Sequence, residues 1–384
     1  MSKTGKNPAT AQRIVVKIGT RLLTHETGQL NLVYIERLVR ELADLKNQGR
    51  QIVLVSSGAI GAGMGRLGLK HRPETIPELQ AAAAVGQGVL IQLYEKFFLE
   101  YGQVVAQILL TRADFASRGR YLNASNTILT LLRWGVVPVI NENDTVSVQE
   151  IKLGDNDRLS ALVAGLCDAD LLVILTTAEG LYEADPELSP GARLIPEVQE
   201  ITPEIKEYAA GTGDRLATGG MVTKLQAAEI ATNSGVGMII AGGKQAGVLH
   251  RILSGEAVGT YFHPQSNYLN RRKRWIAYGR VVKGSVIVDD GAKRALCQAG
   301  KSLLPVGVLG VEGSFEKGAL IAVRDRHGRE IGRGLTGFSS EELLLIKKHS
   351  SSDIVRLIGR EAGDEVIHRD NLIVHDCAQA RCRP

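Results

Sequence analysis

The sequence predicts an α/β protein: a mostly parallel open sheet sandwiched by helices, followed by a small β-rich second domain. Three observations carry this prediction. Short β-branched runs alternate with helical patterns from residue 13 to residue 241, which is how strands and crossover helices alternate in a parallel sheet. After His263 the texture changes to proline, asparagines and a basic run, and then to strand-like pieces. The chain has 384 residues, more than one hydrophobic core usually organises.

Taken in order, residues 13–18 form a β-branched run that ends in Gly19 and Thr20, and residues 32–45 carry apolar side chains at helical spacing. Residues 51–55 are the next strand, and residues 56–63, SSGAIGAG, read as a second glycine-rich turn. Such turns put backbone N–H groups where an anion can reach them, because glycine lets the chain come close. A long helix over residues 77–101 contains an alanine run at 81–84 that allows close packing; a strand at 104–110 and a helix at 121–134 follow. Residues 136–140 form a strand that breaks into Asn141, Glu142, Asn143, Asp144 and Thr145. Residues 146–153 alternate like a hairpin arm able to fold over a site, and Gly154, Asp155, Asn156 and Asp157 open the helical segment 159–166. A buried-type strand at 171–175 ends at Thr176 and Thr177, a helix at 221–233 follows Ala217, Thr218, Gly219 and Gly220, and a strand at 236–241 ends in Gly242 and Gly243.

The expected first domain covers 12–263 and the linker 264–274. The second domain covers 275–370 and the tail 371–384. In the second domain residues 286–288, 307–311 and 319–325 are strand-like, and residues 325–329 read as a hairpin turn between 319–324 and 330–334.

Composition removes several function classes. Aromatic residues make up only 4% of the chain, too few for a stacking platform for single-stranded nucleic acid. No apolar run reaches the ~18 residues of a membrane span, and the first residues lack the apolar segment of a secretory signal, so the expected location is cytoplasmic. The four cysteines are scattered, which argues against a disulfide framework and for reduced thiols. Cys377 and Cys382 with His375 lie in a polar tail without a second ligand pair, so a frayed tail is expected there and no metal site. The run Arg271 to Arg274 fits a solvated linker better than a nucleic-acid contact. Residues 63–68 match the pattern G-x-G-x-x-G, but the match starts beyond the strand's turn and lacks the acidic residue about 20 positions on. There is no Walker pattern and no G-x-S-x-G elbow.

What remains is a set of glycine turns at strand ends and two lysines. Lys17 interrupts an apolar strand, and a buried ammonium needs an anionic partner. Lys224 follows the last glycine loop before the helix at 221–233. Phosphoryl transfer needs such a pair, because negative charge spread over the moving group must be balanced along the line from attacking to leaving oxygen. Asp157 would sit between the lysines and hold them. Residues 136–164 look like the other half of the site: ligands of open α/β sheets bind beyond the carboxyl ends of strands, and short acidic and amide groups suit a small ligand with an ammonium group.

The stretches VVKIGT (15–20), SSGAIGAG (56–63), AAVGQ (83–87), LLTRAD (109–114), VPVINENDTV (137–146), IKLGDNDRLSALVA (151–164), EGLYEADP (179–186), TGGMVTKLQAA (218–228) and RKRWI (272–276) resemble the amino acid kinase family, in the branch that phosphorylates glutamate. The second domain resembles the PUA module. The resemblance implies ATP-dependent phosphorylation of the L-glutamate γ-carboxylate to γ-glutamyl phosphate, the first step of proline synthesis, with Mg²⁺ accompanying ATP. It assigns Lys17 and Lys224 to the transferring phosphoryl group and Asp157 to organising them. Ser57, Asp144 and Asn156 would hold glutamate. Lys17, Thr176, Thr177, Thr218, Gly219, Gly220, Met221, Val222, Thr223 and Lys224 would contact ATP. Thr177 stands where many members carry aspartate, and Ala217 replaces a glycine. The resemblance further implies feedback inhibition by proline, a homodimer or homotetramer, and functional coupling to glutamate-5-semialdehyde dehydrogenase. The competing reading is an RNA-associated protein acting through its PUA module, which leaves Lys17, Asp144, Asp157 and Lys224 without a role.

Overall fold

A computed structural model of the chain describes residues 7–25, 27–146, 156–186, 188–210, 220–265, 282–350, 353–358 and 364–374. The expected hairpin arm beyond Val146, the glycine loop up to Gly219, most of the linker and the end of the tail lie outside the described residues. Contacts divide the chain into two compact units, Met1–Asp114 with Leu122–Leu269, and Phe115–Tyr121 with Asn270–Pro384.

In order, the chain forms β1 (Arg13–Ile18), α1 (Thr20–Leu23), α2 (Leu32–Asn47), β2 (Gln51–Val55), α3 (Ala59–Leu67), α4 (Ile76–Leu99), β3 (Val105–Leu110), α5 (Arg112–Ala116), α6 (Arg118–Arg133) and β4 (Val137–Glu142). It continues through α7 (Asn156–Leu166), β5 (Leu171–Thr176), β6 (Glu197–Val198), α8 (Pro203–Ala210), α9 (Met221–Asn233), β7 (Gly237–Gly242), α10 (Val248–Leu253) and β8 (Thr260–Phe262). The sheet runs β3-β4-β2-β1-β5-β7-β8-β6. All pairs from β3 to β7 are parallel, and β8 turns antiparallel to β7. Strands inside a parallel sheet are covered on both faces, and β1 accordingly buries Ile14, Val15, Val16 and Ile18 completely. The core gathers Ile14, Val16 and Ile18 with Leu38 and Leu42 of α2, Leu54 of β2, Tyr94 and Phe98 of α4, and Val173 and Leu175 of β5.

Local chemistry explains where the helices start. The Asn31 side chain accepts from Tyr34 N at 3.1 Å and opens α2, and Thr75 Oγ1 donates to Glu78 Oε2 at 2.7 Å at the head of α4. The expected glycine turn at 56–63 is a turn only as far as Gly58, whose φ of 85° is left-handed; from Ala59 onward it is α3. The later glycines serve a helix contact. A Cβ on Gly63 would lie 1.8 Å from the Ala82 carbonyl oxygen, and one on Gly86 would lie 1.7 Å from that of Ala59. Thus α3 and α4 touch backbone to backbone, and α4 is drawn in against the ends of β2 and β4.

The second unit is a five-stranded sheet ordered β10-β9-β11-β12-β13, from β9 (Gly284–Val288), β10 (Val308–Glu312), β11 (Leu320–Arg324), β12 (Glu330–Leu335) and β13 (Leu372–Val374). Among the described residues three helices accompany it: α11 (Asp290–Ala299), α12 (Ser340–Ile346) and α13 (Ile354–Ile358). The hairpin between β11 and β12 closes on Asp325, whose carboxylate accepts from His327 N at 3.0 Å, Arg329 N at 3.1 Å and Lys293 Nζ at 2.7 Å. Gly328 supplies the positive φ of that turn. Cys167 is a free, buried thiol. Cys297 is disulfide-bonded, which corrects the expectation of reduced thiols: a low cysteine count argues against a framework of bridges but leaves room for a single one.

Candidate active site

Lys17 is the penultimate residue of β1 and pairs in register with Val55 of β2 on one side and Ile174 of β5 on the other. Strand β1 is also where the topology reverses, since β2, β4 and β3 lie to one side and β5 and β7 to the other. Such a switch point opens a ligand crevice beyond the strand ends. Two helices start at this edge. Asn156 and Asp157 form the first turn of α7, Met221 to Lys224 form the first turn of α9, and the two helices pack against each other. Helix N-termini carry partial positive charge and free N–H groups, so both favour an anion.

Asp157 is fully buried and ties these elements together. Its Oδ1 is 2.6 Å from Lys17 Nζ, and its Oδ2 is 3.1 Å from Lys224 Nζ. The same Oδ2 accepts from Thr223 Oγ1 at 3.0 Å. Lys17 is 7% exposed and Lys224 5%. Burial alone pushes the Asp157 carboxyl upward, but the charges of Lys17 and Lys224, and their hydrogen bonds, outweigh it and hold the group below its ordinary value. Among the described residues two ammonium groups meet one carboxylate in a site with little water, where a charge acts on an anion far more strongly than at the surface.

A second cluster, made of neutral groups, adjoins the first through Asn156. Its Nδ2 donates towards Ser56 O at 2.7 Å, Ser57 Oγ at 3.0 Å and Asn141 Oδ1 at 2.9 Å. Asn141 Nδ2 donates to Gln87 Oε1 at 3.3 Å, and Gln87 Nε2 donates to Glu142 O at 3.1 Å. The hydroxyls of Ser56 and Tyr94 share a hydrogen bond of 2.9 Å; burial pushes the Tyr94 phenol up to about 12, so it stays neutral.

Of the residues singled out in the sequence, Lys17, Asp157, Thr223 and Lys224 meet in the charged cluster, and Ser57 and Asn156 meet in the amide cluster. Asp144 lies half-buried in the turn that follows β4. Thr176 is the last residue of β5, opposite Gly242, and its carbonyl accepts from Gly243 N at 2.8 Å. Thr177 is exposed just beyond it. Gly220 is the N-cap of α9, and Met221 and Val222 begin the helix. Thr218 and Gly219 lie outside the described residues. Gln87 escaped notice because one glutamine in an alanine- and glycine-rich helix leaves no pattern. Asn141 stood in the polar cluster at the end of β4 without a role.

This combination, a parallel sheet with buried lysines and two helix N-termini converging at its switch point, defines a phosphate-handling α/β fold. The amino acid kinase family model matches residues 12–242, more than half of the chain, and the PUA domain model matches residues 284–358. The chain belongs to the amino acid kinase family. It is 56% identical to the glutamate 5-kinase of Moorella thermoacetica, with 95% of this chain and 96% of that protein covered. It is 55% identical to the glutamate 5-kinase of Caldanaerobacter subterraneus subsp. tengcongensis over 94% of this chain and 97% of that protein. The glutamate 5-kinase of Carboxydothermus hydrogenoformans is also 55% identical, with 95% and 98% covered.

Proposed function

We propose that the chain transfers the γ-phosphoryl group of ATP to the γ-carboxylate of L-glutamate, giving γ-glutamyl phosphate and ADP, the first step of proline biosynthesis. The observation that carries the reading is the Lys17–Asp157–Lys224 cluster at the carboxyl end of β1. A carboxylate oxygen forms the new bond to the γ-phosphorus, and the bond to the bridging oxygen of ADP breaks with its electron pair leaving on ADP. A carboxylate is already ionised at neutral pH, so no general base is required. The work left to the protein is alignment and charge balance. Lys17 and Lys224 stabilise the transferring group, and Asp157 holds both and keeps their mutual repulsion in check.

Ser57, Asp144 and Asn156 hold glutamate, with Asp144 taking the ammonium group. Thr176, Thr177 and the segment from Thr218 to Lys224 contact ATP. Among the described residues no three His, Cys, Asp or Glu side chains group as metal ligands, and the buried carboxylate of Asp157 is committed to lysines. Mg²⁺ accompanies the ATP phosphates, as part of the substrate. Proline as feedback inhibitor, assembly into a homodimer or homotetramer, and coupling to glutamate-5-semialdehyde dehydrogenase complete the proposal. Among the described residues no helix is long and apolar enough to cross a membrane, and a cytoplasmic location is proposed.

The test is a trapping assay. The protein is mixed with ATP, Mg²⁺ and hydroxylamine, and glutamate, aspartate or acetylglutamate is supplied in turn. Hydroxamate with glutamate alone is expected; hydroxamate only with another acid, or none with any, refutes the reading.

A further inference from the structure

Gln87 is buried on α4, outside the lysine cluster, yet its two amide ends close a chain of hydrogen bonds that ends at Ser57. The direction of that chain is fixed by neighbours that can act only one way. Side-chain amides have one accepting and one donating end, whereas a backbone carbonyl only accepts and a backbone N–H only donates. The Ser56 carbonyl therefore requires Nδ2 of Asn156 on its side, at 2.7 Å. The Glu142 N–H requires Oδ1 of Asn141, at 2.9 Å. Asn141 is then left with Nδ2 facing Gln87, which must answer with Oε1 and turn Nε2 to the Glu142 carbonyl. Every end is assigned. The two Nδ2 hydrogens of Asn156 serve three acceptors, so Ser57 Oγ, the most distant of them at 3.0 Å, shares one hydrogen, and its own O–H hydrogen is left to be donated elsewhere. A carboxylate can only accept.

We propose that Gln87 is a positioning residue for the acceptor substrate: by accepting from Asn141 Nδ2 it steadies the orientation that the Glu142 N–H and the Ser56 carbonyl set, and so keeps the Ser57 hydroxyl hydrogen for a substrate carboxylate oxygen. The inference rests on the glutamate-phosphorylating function argued above. Without the Gln87 amide, Asn141 Nδ2 loses the Gln87 acceptor and the Glu142 carbonyl loses the Gln87 donor, and a buried donor that loses its partner drives rearrangement. Room for it exists: a cavity of about 10 Å³, lined by Ser56, Gln87, Tyr94, Gln107 and Asn141 among others, adjoins the chain. It admits about one water molecule or a turned amide. An Asn141 that turns would set its Nδ2 against Asn156 Nδ2 and so disturb the amide that donates to Ser57.

The experiment uses the full chain with Gln87→Met, which keeps length but removes both polar ends, and Gln87→Leu, which also removes both polar ends and reads the same quantity should the first variant not fold. Glutamate and ATP dependence are measured with thermal unfolding. The expected result is a glutamate KM raised about tenfold, with ATP KM within about twofold and kcat within about threefold, since one buried hydrogen-bond partner is removed on the acceptor side only. A residue that merely supports the fold would lower the melting temperature without this split. A glutamate KM unchanged in the folded variants, or glutamate and ATP KM rising together, overturns the proposal. A wild-type chain inactive towards glutamate overturns the functional reading itself, whereas an active wild type with insensitive variants overturns the role of Gln87 alone.

Discussion

Replacing Lys224 by methionine takes one ammonium from a cluster of two ammonium groups and one carboxylate. Lys17 Nζ remains 2.6 Å from Asp157 Oδ1, so the buried carboxylate keeps a partner and the fold should survive. What disappears is one of the two positive charges that an incoming phosphoryl group would meet. At a separation of about 4 Å and an effective dielectric of about 20, a unit charge contributes about 4 kcal/mol. If that interaction is realised in the transition state, kcat falls by about a thousandfold. The assay is hydroxamate formation with saturating ATP and glutamate, with circular dichroism to show that the variant is folded. A folded Lys224→Met variant retaining more than about a tenth of wild-type kcat would refute the reasoning, because a charge that matters so little does not face the reacting group. The double variant Lys17→Met/Lys224→Met leaves Asp157 without either ammonium, and breaking a buried ion pair costs about 3–5 kcal/mol. Its loss of stability should therefore exceed the sum of the two single losses when measured by denaturant unfolding.

Other consequences follow from the same geometry. Asp157 titrates below its ordinary value of 3.8 in the folded chain, so its ionised form stabilises the fold above that pH and this contribution is lost as pH falls through the folded value; the stability gap between wild type and Asp157→Asn should be constant near neutrality and shrink below about pH 4 in urea titrations. If the gap widens in acid, the carboxylate is not held ionised by the lysines. Asp144→Ala removes the proposed partner of the substrate ammonium, and glutamate KM should rise about ten- to hundredfold with ATP KM unchanged, as initial rates will show. Gly86→Ala puts a Cβ 1.7 Å from the Ala59 carbonyl oxygen and forces α3 and α4 apart, so a loss of at least about 1–3 kcal/mol is expected by chemical denaturation.

Much of the first unit was legible because its signals are local. A lysine inside a β-branched strand is conspicuous, and Lys17 stands at the end of β1 with Asp157 against it. The strand bounds 13–18 and 51–55 and the helix bounds 221–233 match the structure, since apolar periodicity ends where burial ends. The glycine run after β2 misled. Glycines that permit a turn and glycines that permit two helices to touch look alike in one dimension, and only Gly58 has the positive φ of a turn. Strands β6 and β8 were not foreseen, being two and three residues long and held by pairing rather than by propensity. The amide chain from Gln87 to Ser57 was hidden for a related reason: its members come from α4, β4, α7 and the end of β2, and nothing in the spacing of 87, 141, 156 and 57 shows that they meet. The basic side chains of the second unit were equally unreadable as a charge patch, because Arg324, Arg326 and Arg333 are each paired with a carboxylate, Glu312, Asp290 and Glu330 respectively.

The central claim is that two ammonium groups far apart in sequence flank one phosphorus as it passes between oxygens. A crystal structure of the chain with glutamate, MgADP and a planar fluoride mimic of the phosphoryl group measures this directly. Lys17 Nζ and Lys224 Nζ should each lie within about 3 Å of a fluorine atom or a phosphate oxygen, the length of a charge-assisted hydrogen bond. A complex that binds all three ligands while either ammonium remains turned away from the mimic would contradict the account.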